Sequence, residues 1–201
     1  MNIGVLASGR GSNFVALMEA QRRGELAPGE ITTLICNKPG AAVLERAQEF
    51  GVETVVISHK DFDSREAFDQ ALIDALKARG VALVVLAGFM RVLTPVFLDV
   101  FPNRVINLHP ALLPSFPGTD GIGDALAYGV KVTGVTVHLV DAGVDTGPIL
   151  LQEAIAIEEG ESRESLERRI HAIEHRLLPR AVQLVAAGKT RVEGRRVAVA
   201  P

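Results

Sequence analysis

The sequence predicts an α/β fold built on a mostly parallel sheet, with helices on both faces and an antiparallel edge. Four short apolar runs are each followed by a stretch of helical periodicity, which is the order of βαβ units. These runs are residues 2–7, 31–36, 52–57 and 81–87. Two longer strand-like runs, residues 132–140 and 149–157, are joined by a glycine-rich turn and indicate antiparallel pairing. We therefore expect a Rossmann-like sheet with an antiparallel edge.

Local signals predict the other elements. A helix is expected at residues 63–79, because a capping-box-like start at Asp63 and Glu66 precedes apolar residues at helical spacing. The further elements are a strand at residues 104–109, a long helix at 163–187 and a hairpin at 190–199. The chain has no internal repeat, low-complexity tract or linker, so we expect a single domain over residues 1–201.

Composition limits the class of ligand. The chain has a formal net charge of −3, no tryptophan and one tyrosine. Surfaces that bind nucleic acids are usually basic and carry aromatic side chains that stack on bases, so these counts argue against a nucleic-acid partner. We therefore expect a small-molecule ligand.

The sequence also indicates a compartment. The N-terminus lacks the basic region of a signal peptide, and no apolar run approaches the roughly 20 residues that cross a bilayer. The single cysteine, Cys36, excludes an internal disulfide and is expected to pack inside a strand. We therefore expect a cytoplasmic protein with no membrane partner.

A glycine-rich turn from Ser8 to Asn13 follows the first strand and opens the first helix, where backbone N–H groups and the helix dipole can hold a phosphate. A dinucleotide site is disfavoured, because Phe14 replaces the third glycine of the G-x-G-x-x-G pattern and Asn37 stands where a ribose-binding acid is expected. A tight turn without a ligand is the second alternative. A monophosphate fits better, since Ser12 and Asn13 add side-chain donors.

Asn107, His109 and Asp145 carry groups suited to acyl transfer. Asn107 and His109 share one face of the strand at residues 104–109, because side chains alternate along a strand. A carboxamide can donate to the oxyanion that forms when an amine attacks a formyl group, and an imidazole can carry the proton. A carboxylate such as Asp145 within reach would favour the imidazolium. Alone, a histidine before a proline and an Asp-x-Gly cluster are typical of turns, so the hypothesis depends on convergence of the three residues.

A zinc site is a competing interpretation of the long helix predicted at residues 163–187. His171, Glu174 and His175 match the H-x-x-E-H pattern, in which two histidines bind zinc beside a catalytic glutamate. Short patterns recur by chance, and the only further ligand in view is Glu193 in the predicted hairpin. We favour a charged helix face, or Glu174 as an isolated ligand contact, and expect no metal.

Two more segments have both a functional and a structural interpretation. Arg65 could clamp a carboxylate, although a solvated surface arginine is the ordinary case. Residues 89–93 follow a predicted strand at the same sheet edge and could form an apolar wall, or could simply be core. His59 and His138 are interpreted as structural, His138 because it lies within a strand-like run.

Seven segments, in this order and spacing, resemble the folate-dependent formyltransferase family over nearly the full length of the chain. They are residues 9–13, 62–66, 85–91, 106–114, 116–118, 135–138 and 145–148. The resemblance implies the formyltransferase fold. It also implies transfer of the formyl group of 10-formyltetrahydrofolate, a co-substrate, to the amine of glycinamide ribonucleotide in purine biosynthesis, by direct attack through a tetrahedral intermediate.

The resemblance also implies roles for individual residues. Asn107, His109 and Asp145 match the catalytic residues of the family. The residues implied to bind glycinamide ribonucleotide are Gly11, Ser12, Asn13 and Glu174. Those implied to bind the folate are Arg65, Met90, Arg91, Val92, Leu93, Asn107, Val140, Asp141, Ala142, Gly143 and Val144. A homodimer is compatible with the sequence, which does not determine the oligomeric state.

One departure from the family concerns Asp120, which stands where many relatives carry a histidine after Phe-Pro-Gly. The role of that histidine cannot be transferred, and the glycine-rich residues 119–123 predict a more mobile loop. Other formyl-folate enzymes carry a second domain for which we expect no room here. A non-catalytic nucleotide-binding module would use the glycine-rich turn, and His109 would then have no catalytic role. A dinucleotide-dependent oxidoreductase would use the same turn to bind NAD.

Overall fold

A computed structural model describes residues 1–200 and contains one seven-stranded sheet. The strands are β1 (Asn2–Ala7), β2 (Glu30–Cys36), β3 (Glu53–Val56), β4 (Val81–Leu86), β5 (Val105–His109), β6 (Val132–Leu139) and β7 (Ile149–Ala156). Their order across the sheet is β3-β2-β1-β4-β5-β6-β7. The first five pair in parallel, and β6 pairs antiparallel with both β5 and β7. The predicted mostly parallel sheet with an antiparallel edge is confirmed.

Helices cover both faces of the sheet. They are α1 (Ser12–Arg22), α2 (Ala42–Glu49), α3 (Arg65–Lys77), α4 (Pro95–Leu98), α5 (Gly121–Tyr128) and α6 (Arg163–Ala186). The predicted C-terminal hairpin is also present, as β8 (Thr190–Glu193) paired with β9 (Arg196–Val199). No helix within residues 1–200 is long and apolar enough to span a membrane.

Two predictions about helix starts are wrong. The N-cap of α3 is Ser64 rather than Asp63, because the Ser64 hydroxyl accepts a hydrogen bond from the Ala67 amide at 3.0 Å. The glycine-rich residues 119–123 are not a loop throughout, since α5 begins at Gly121. Asp120 caps this helix by accepting from the Gly123 amide at 3.1 Å, which orders the segment despite its glycines.

Each face of the sheet has its own apolar core. One core joins the sheet to α1, α2 and α6, and the other joins it to α3 and α4. Along β5, Val105 packs into the α3 side and Ile106 into the α1 and α6 side. Because side chains alternate, Asn107 and His109 project toward the α3 side. Cys36 is fully buried at the end of β2, as predicted.

Candidate active site

Three polar side chains meet where β5 pairs with β6. Asn107 lies directly opposite His138 in the antiparallel register, and the Asn107 Nδ2 atom is 3.3 Å from the His138 Nε2 atom. His109 follows two residues later on the same face, and both histidines are at most 3% exposed. His138 was interpreted as structural from its strand-like run alone, and the structure places its ring in this cluster.

Asp145 completes the cluster from the turn between β6 and β7. One carboxylate oxygen is 3.5 Å from Nδ1 of His109, and the other is 3.5 Å from Nε2 of His138. Asn107 donates to Asp145 at 3.3 Å, and the Gly118 amide donates at 2.9 Å. The backbone of Asp145 has a φ of 53°, a left-handed conformation that is uncommon outside glycine and typical of functional sites. The structure thus brings together the three residues predicted to converge.

The electrostatics of the cluster keep Asp145 ionised. Burial alone would raise the pKa of Asp145, but the hydrogen bond to His138, the Gly118 amide and the charges of His109 and His138 together hold that pKa below its ordinary value. The Nε2 atom of His109 lies 2.7 Å from the Phe116 carbonyl oxygen, so this nitrogen donates. The two ring nitrogens of His109 therefore face one acceptor each, the Phe116 carbonyl at Nε2 and the Asp145 carboxylate at Nδ1.

The glycine-rich turn leads into α1 with open backbone donors. Gly11 has a φ of 80°, and a Cβ atom there would lie 2.6 Å from a side-chain carbon of Val43, so the turn requires glycine. No side chain caps α1, which leaves its first N–H groups for an anion. The Asn13 amide nitrogen donates to Glu174 at 3.0 Å, while Oδ1 of Asn13 is buried without a partner. Burial raises the pKa of Glu174, although Asn13 and His171 oppose the shift.

The H-x-x-E-H residues do not converge on a common point. The rings of His171 and His175 stack with centroids 6.2 Å apart, and Glu174 is directed to Asn13. Within residues 1–200, no group of three or more histidine, cysteine, aspartate or glutamate side chains could hold a metal ion. The structure therefore assigns Glu174 to the neighbourhood of the glycine-rich turn.

Arg65 and the segment after β4 lie together at the sheet edge. The Arg65 guanidinium donates to the Val92 carbonyl at 2.9 Å. Met90 and Val92 are 64% and 50% exposed, whereas Leu93 is buried. The predicted apolar wall therefore exists only in part, because alternate residues of the segment point into the core.

A buried polar network that the sequence did not reveal supports this segment. The Ser8 hydroxyl accepts from the Met90 amide at 2.9 Å and donates to Asn37 at 2.6 Å. The side chain of Asn37 in turn lies 3.3 Å from Nδ1 of His59. These contacts tie the ends of β1 and β2 to the segment that carries Met90, and they agree with a structural role for His59.

Internal hydrogen bonds shape the loop between β6 and β7. Asp141 accepts from the Gly143 amide at 3.1 Å and from the Thr146 hydroxyl at 2.6 Å. Val144, at the outer part of the loop, is 52% exposed. The Arg195 guanidinium, in the turn of the C-terminal hairpin, donates to the Thr146 carbonyl at 3.0 Å. The hairpin therefore braces the loop that carries Asp145, a contact for which the sequence gives no local signal.

Comparisons with known proteins identify the family of the chain. A family model described as "Formyl transferase" matches residues 1–182. The chain is 43% identical over 179 residues to phosphoribosylglycinamide formyltransferase of Bacillus subtilis, covering 89% of this chain and 91% of that protein. It is 46% identical over 201 residues to the Mycobacterium tuberculosis protein of the same name, covering 97% and 92%.

Solved structures give the same result. The crystal structure of glycinamide ribonucleotide transformylase 1 from Symbiobacterium toebii superimposes with a TM-score of 0.97 at 47% identity, and the match covers 100% of this chain and 94% of that one. The fold is that of a group-transfer enzyme of the α/β class. The chain belongs to the formyl transferase family.

Proposed function

We propose that this protein transfers the formyl group of 10-formyltetrahydrofolate to the amino group of glycinamide ribonucleotide, a step of de novo purine biosynthesis. The observation that carries the proposal is the convergence of Asn107, His109 and Asp145, with Asp145 3.3 Å from the carboxamide and 3.5 Å from the imidazole. The names of the similar proteins support the choice of substrates. The buried, unpaired thiol of Cys36 is compatible with action in the cytoplasm.

The proposed reaction is a direct acyl transfer. The amine attacks the formyl carbon, a new C–N bond forms, and the bond from that carbon to N10 of the folate breaks. Asn107 donates to the oxyanion of the tetrahedral intermediate, which requires its amide group to turn partly from Asp145 and His138 toward the substrate. His109 moves the proton from the attacking amine toward the departing N10, which requires its Nε2 atom to turn from the Phe116 carbonyl toward the substrate, and Asp145 stabilises the charged ring. No net proton is gained or lost by the enzyme.

Glycinamide ribonucleotide would bind across the start of α1. The backbone of Gly11, the hydroxyl of Ser12 and the free N–H groups of the helix would hold the phosphate. Asn13 and Glu174 would contact the ribose, because the carboxylate accepts hydrogen bonds from hydroxyl groups and is already bonded to Asn13. The buried Oδ1 atom of Asn13, which lacks a partner, is an acceptor available to a ligand.

The folate would lie between the segment after β4 and the loop after β6. Exposed apolar side chains line both, with Met90 and Val92 on one and Val144 on the other, and they suit an aromatic ring system. Arg65 would pair with a carboxylate of the folate tail. The proposed folate contacts are Arg65, Met90, Arg91, Val92, Leu93, Asn107, Val140, Asp141, Ala142, Gly143 and Val144. The folate is consumed as a co-substrate in this scheme.

An absorbance assay of folate deformylation tests the proposal. Wild-type protein should deformylate the folate only when glycinamide ribonucleotide is present. Asn107→Ala and His109→Ala should each lower kcat by about 100-fold or more, since each removes a group that acts in the transition state. Asn103→Gly is the matched control, because Asn103 is exposed and has a φ of 54° that glycine adopts readily.

Other outcomes would refute the proposal. Deformylation without the amine would indicate a hydrolase. Binding of glycinamide ribonucleotide without deformylation would indicate a nucleotide-binding module. Full transferase activity in Asn107→Ala would remove the carboxamide from the mechanism.

A further inference from the structure

The backbone from Phe116 to Asp120 holds two of the proposed catalytic side chains. The Phe116 carbonyl accepts from Nε2 of His109 at 2.7 Å, and the Gly118 amide donates to Asp145 at 2.9 Å. The segment thus contacts the imidazole at Nε2 and the carboxylate at the oxygen that lies nearest to His109. Any displacement of the segment would change the orientation of both groups.

This segment has a backbone conformation that needs external support. Phe116 has a φ of 53° and Gly118 has a φ of 108°. A left-handed non-glycine residue is strained, and such strain persists only where surrounding contacts hold it. The contacts at its inner side are those to His109 and Asp145. Further contacts are the edge-to-face packing of the Phe116 ring on Tyr128, with centroids 5.7 Å apart, and those made by Asp120 at the end of the segment.

Asp120 is bound by α6 through a bidentate ion pair. Two nitrogens of Arg163 donate to the two oxygens of Asp120 at 2.7 and 2.9 Å, and the third nitrogen donates to Glu167 at 2.8 Å. Arg163 is the first residue of α6, where the helix dipole disfavours a cation. The two carboxylates offset that cost. Asp120 also caps α5 through Gly123, so its side chain is fixed from two directions.

We propose that Asp120 and Arg163 are positioning residues, whose ion pair fixes the segment from Phe116 to Asp120 and thereby the orientation of His109 and Asp145. The proposal rests on the catalytic roles proposed above. It assigns a function to Asp120, a residue to which the family resemblance transfers none. Most exposed ion pairs contribute little to the stability of a protein. A bidentate pair that belongs to a network of charges is an exception, because its geometry is fixed by several hydrogen bonds.

Substitutions on both sides of the pair test the proposal. Asp120→Asn keeps an oxygen for the Gly123 amide but loses the charge, and Arg163→Met leaves the cap untouched. Each should lower kcat by about 3- to 10-fold and leave the KM of both substrates within about twofold, because the segment contacts the reacting groups. The double variant should be no worse than either single variant, since one interaction is lost in all three.

A matched control and a conservative replacement separate positioning from general damage. Glu167→Gln removes the other carboxylate of Arg163 without touching the segment, and its kcat should stay within about twofold of wild type. Arg163→Lys keeps the positive charge but not the bidentate geometry, so its kcat should lie between those of Arg163→Met and wild type. Unchanged kcat in Asp120→Asn and Arg163→Met, losses that multiply in the double variant, or a change confined to KM would overturn the proposal.

A measurement independent of turnover distinguishes failure of this inference from failure of the proposed function. In NMR spectra of the folded protein, the Nε2–H signal of His109 should report its hydrogen bond to Phe116. That signal should weaken or shift in Asp120→Asn and Arg163→Met but not in Glu167→Gln. An unchanged signal refutes the positioning role. A changed signal in a protein that lacks amine-dependent deformylation supports the positioning role and refutes only the proposed function.

Discussion

Asp145→Asn should reduce turnover strongly while it leaves the fold intact. The substitution removes one charge but keeps the size of the side chain, and asparagine tolerates the left-handed backbone found at this position. The charge lies 3.5 Å from Nδ1 of His109. At an effective dielectric constant of about 20, unit charges at that distance interact by about 4–5 kcal/mol, which is an upper limit.

The remaining hydrogen bonds and solvent relaxation reduce that loss. The carbonyl oxygen of the new side chain can still accept from the Gly118 amide or from the Asn107 amide, but not from both, because these donors bind different oxygens of Asp145. We therefore expect kcat to fall by about 100-fold, which corresponds to about 2.7 kcal/mol. The KM of each substrate should change by no more than about threefold, because Asp145 is assigned to the reacting centre.

Steady-state measurement of the deformylated folate gives kcat and KM for both substrates. Asp124→Asn is the control, since Asp124 is an exposed carboxylate on α5 that undergoes the same change of side chain. A kcat for Asp145→Asn within about fivefold of wild type would refute the argument that this carboxylate stabilises the charged imidazole. A loss expressed only in KM would refute it as well.

Other features of the structure make further predictions. The pKa of Asp145 is held below its ordinary value of 3.8, so the charge of Asp145 stabilises the fold above that pH. The difference in unfolding free energy between wild type and Asp145→Asn should therefore shrink as the pH falls through the lowered pKa. Urea denaturation at several pH values measures this difference. Burial raises the pKa of Glu174 above 4.5, so Glu174→Gln should stabilise the protein at pH 8 but not at pH 4 in the same experiment. Burial also raises the pKa of the Cys36 thiol, which should react with a thiol reagent only after unfolding, as followed by absorbance. Arg195→Ala removes the brace on the Thr146 carbonyl and should raise the KM of the folate by about 2- to 5-fold in the deformylation assay, with kcat unchanged.

The sequence predicted the framework of the fold because its strands are buried and short. The apolar runs that mark β1, β2 and β4 are bounded by turn residues, and their predicted ends differ from the observed ends by one residue at most. The start of α5 could not be predicted in the same way. Its glycines favour a loop, and the ion pair that fixes Asp120 comes from Arg163, which lies 43 residues further along the chain.

The candidate site was predictable to the extent that strand alternation determines it. Alternation places Asn107 and His109 on one face, and this required no knowledge of the partner strand. The place of His138 in the cluster was not predicted, because it depends on the register between β5 and β6, which pairs this residue with Asn107. A one-residue change in that register would turn its ring to the other face. Register is a long-range property, and a run of apolar residues does not encode it.

The hydrogen bond from Asn13 to Glu174 joins two residues that are 161 positions apart in the chain. Ribosomes synthesise α1 among the first elements and α6 among the last, so a nascent chain carries β5 and its polar residues long before this bond can form. A premature stop or a proteolytic cut ahead of α6 would therefore leave Asn13 without the carboxylate of Glu174, and one face of the sheet without its longest helix. The contact between the glycine-rich turn and Glu174 can form only when translation is nearly complete.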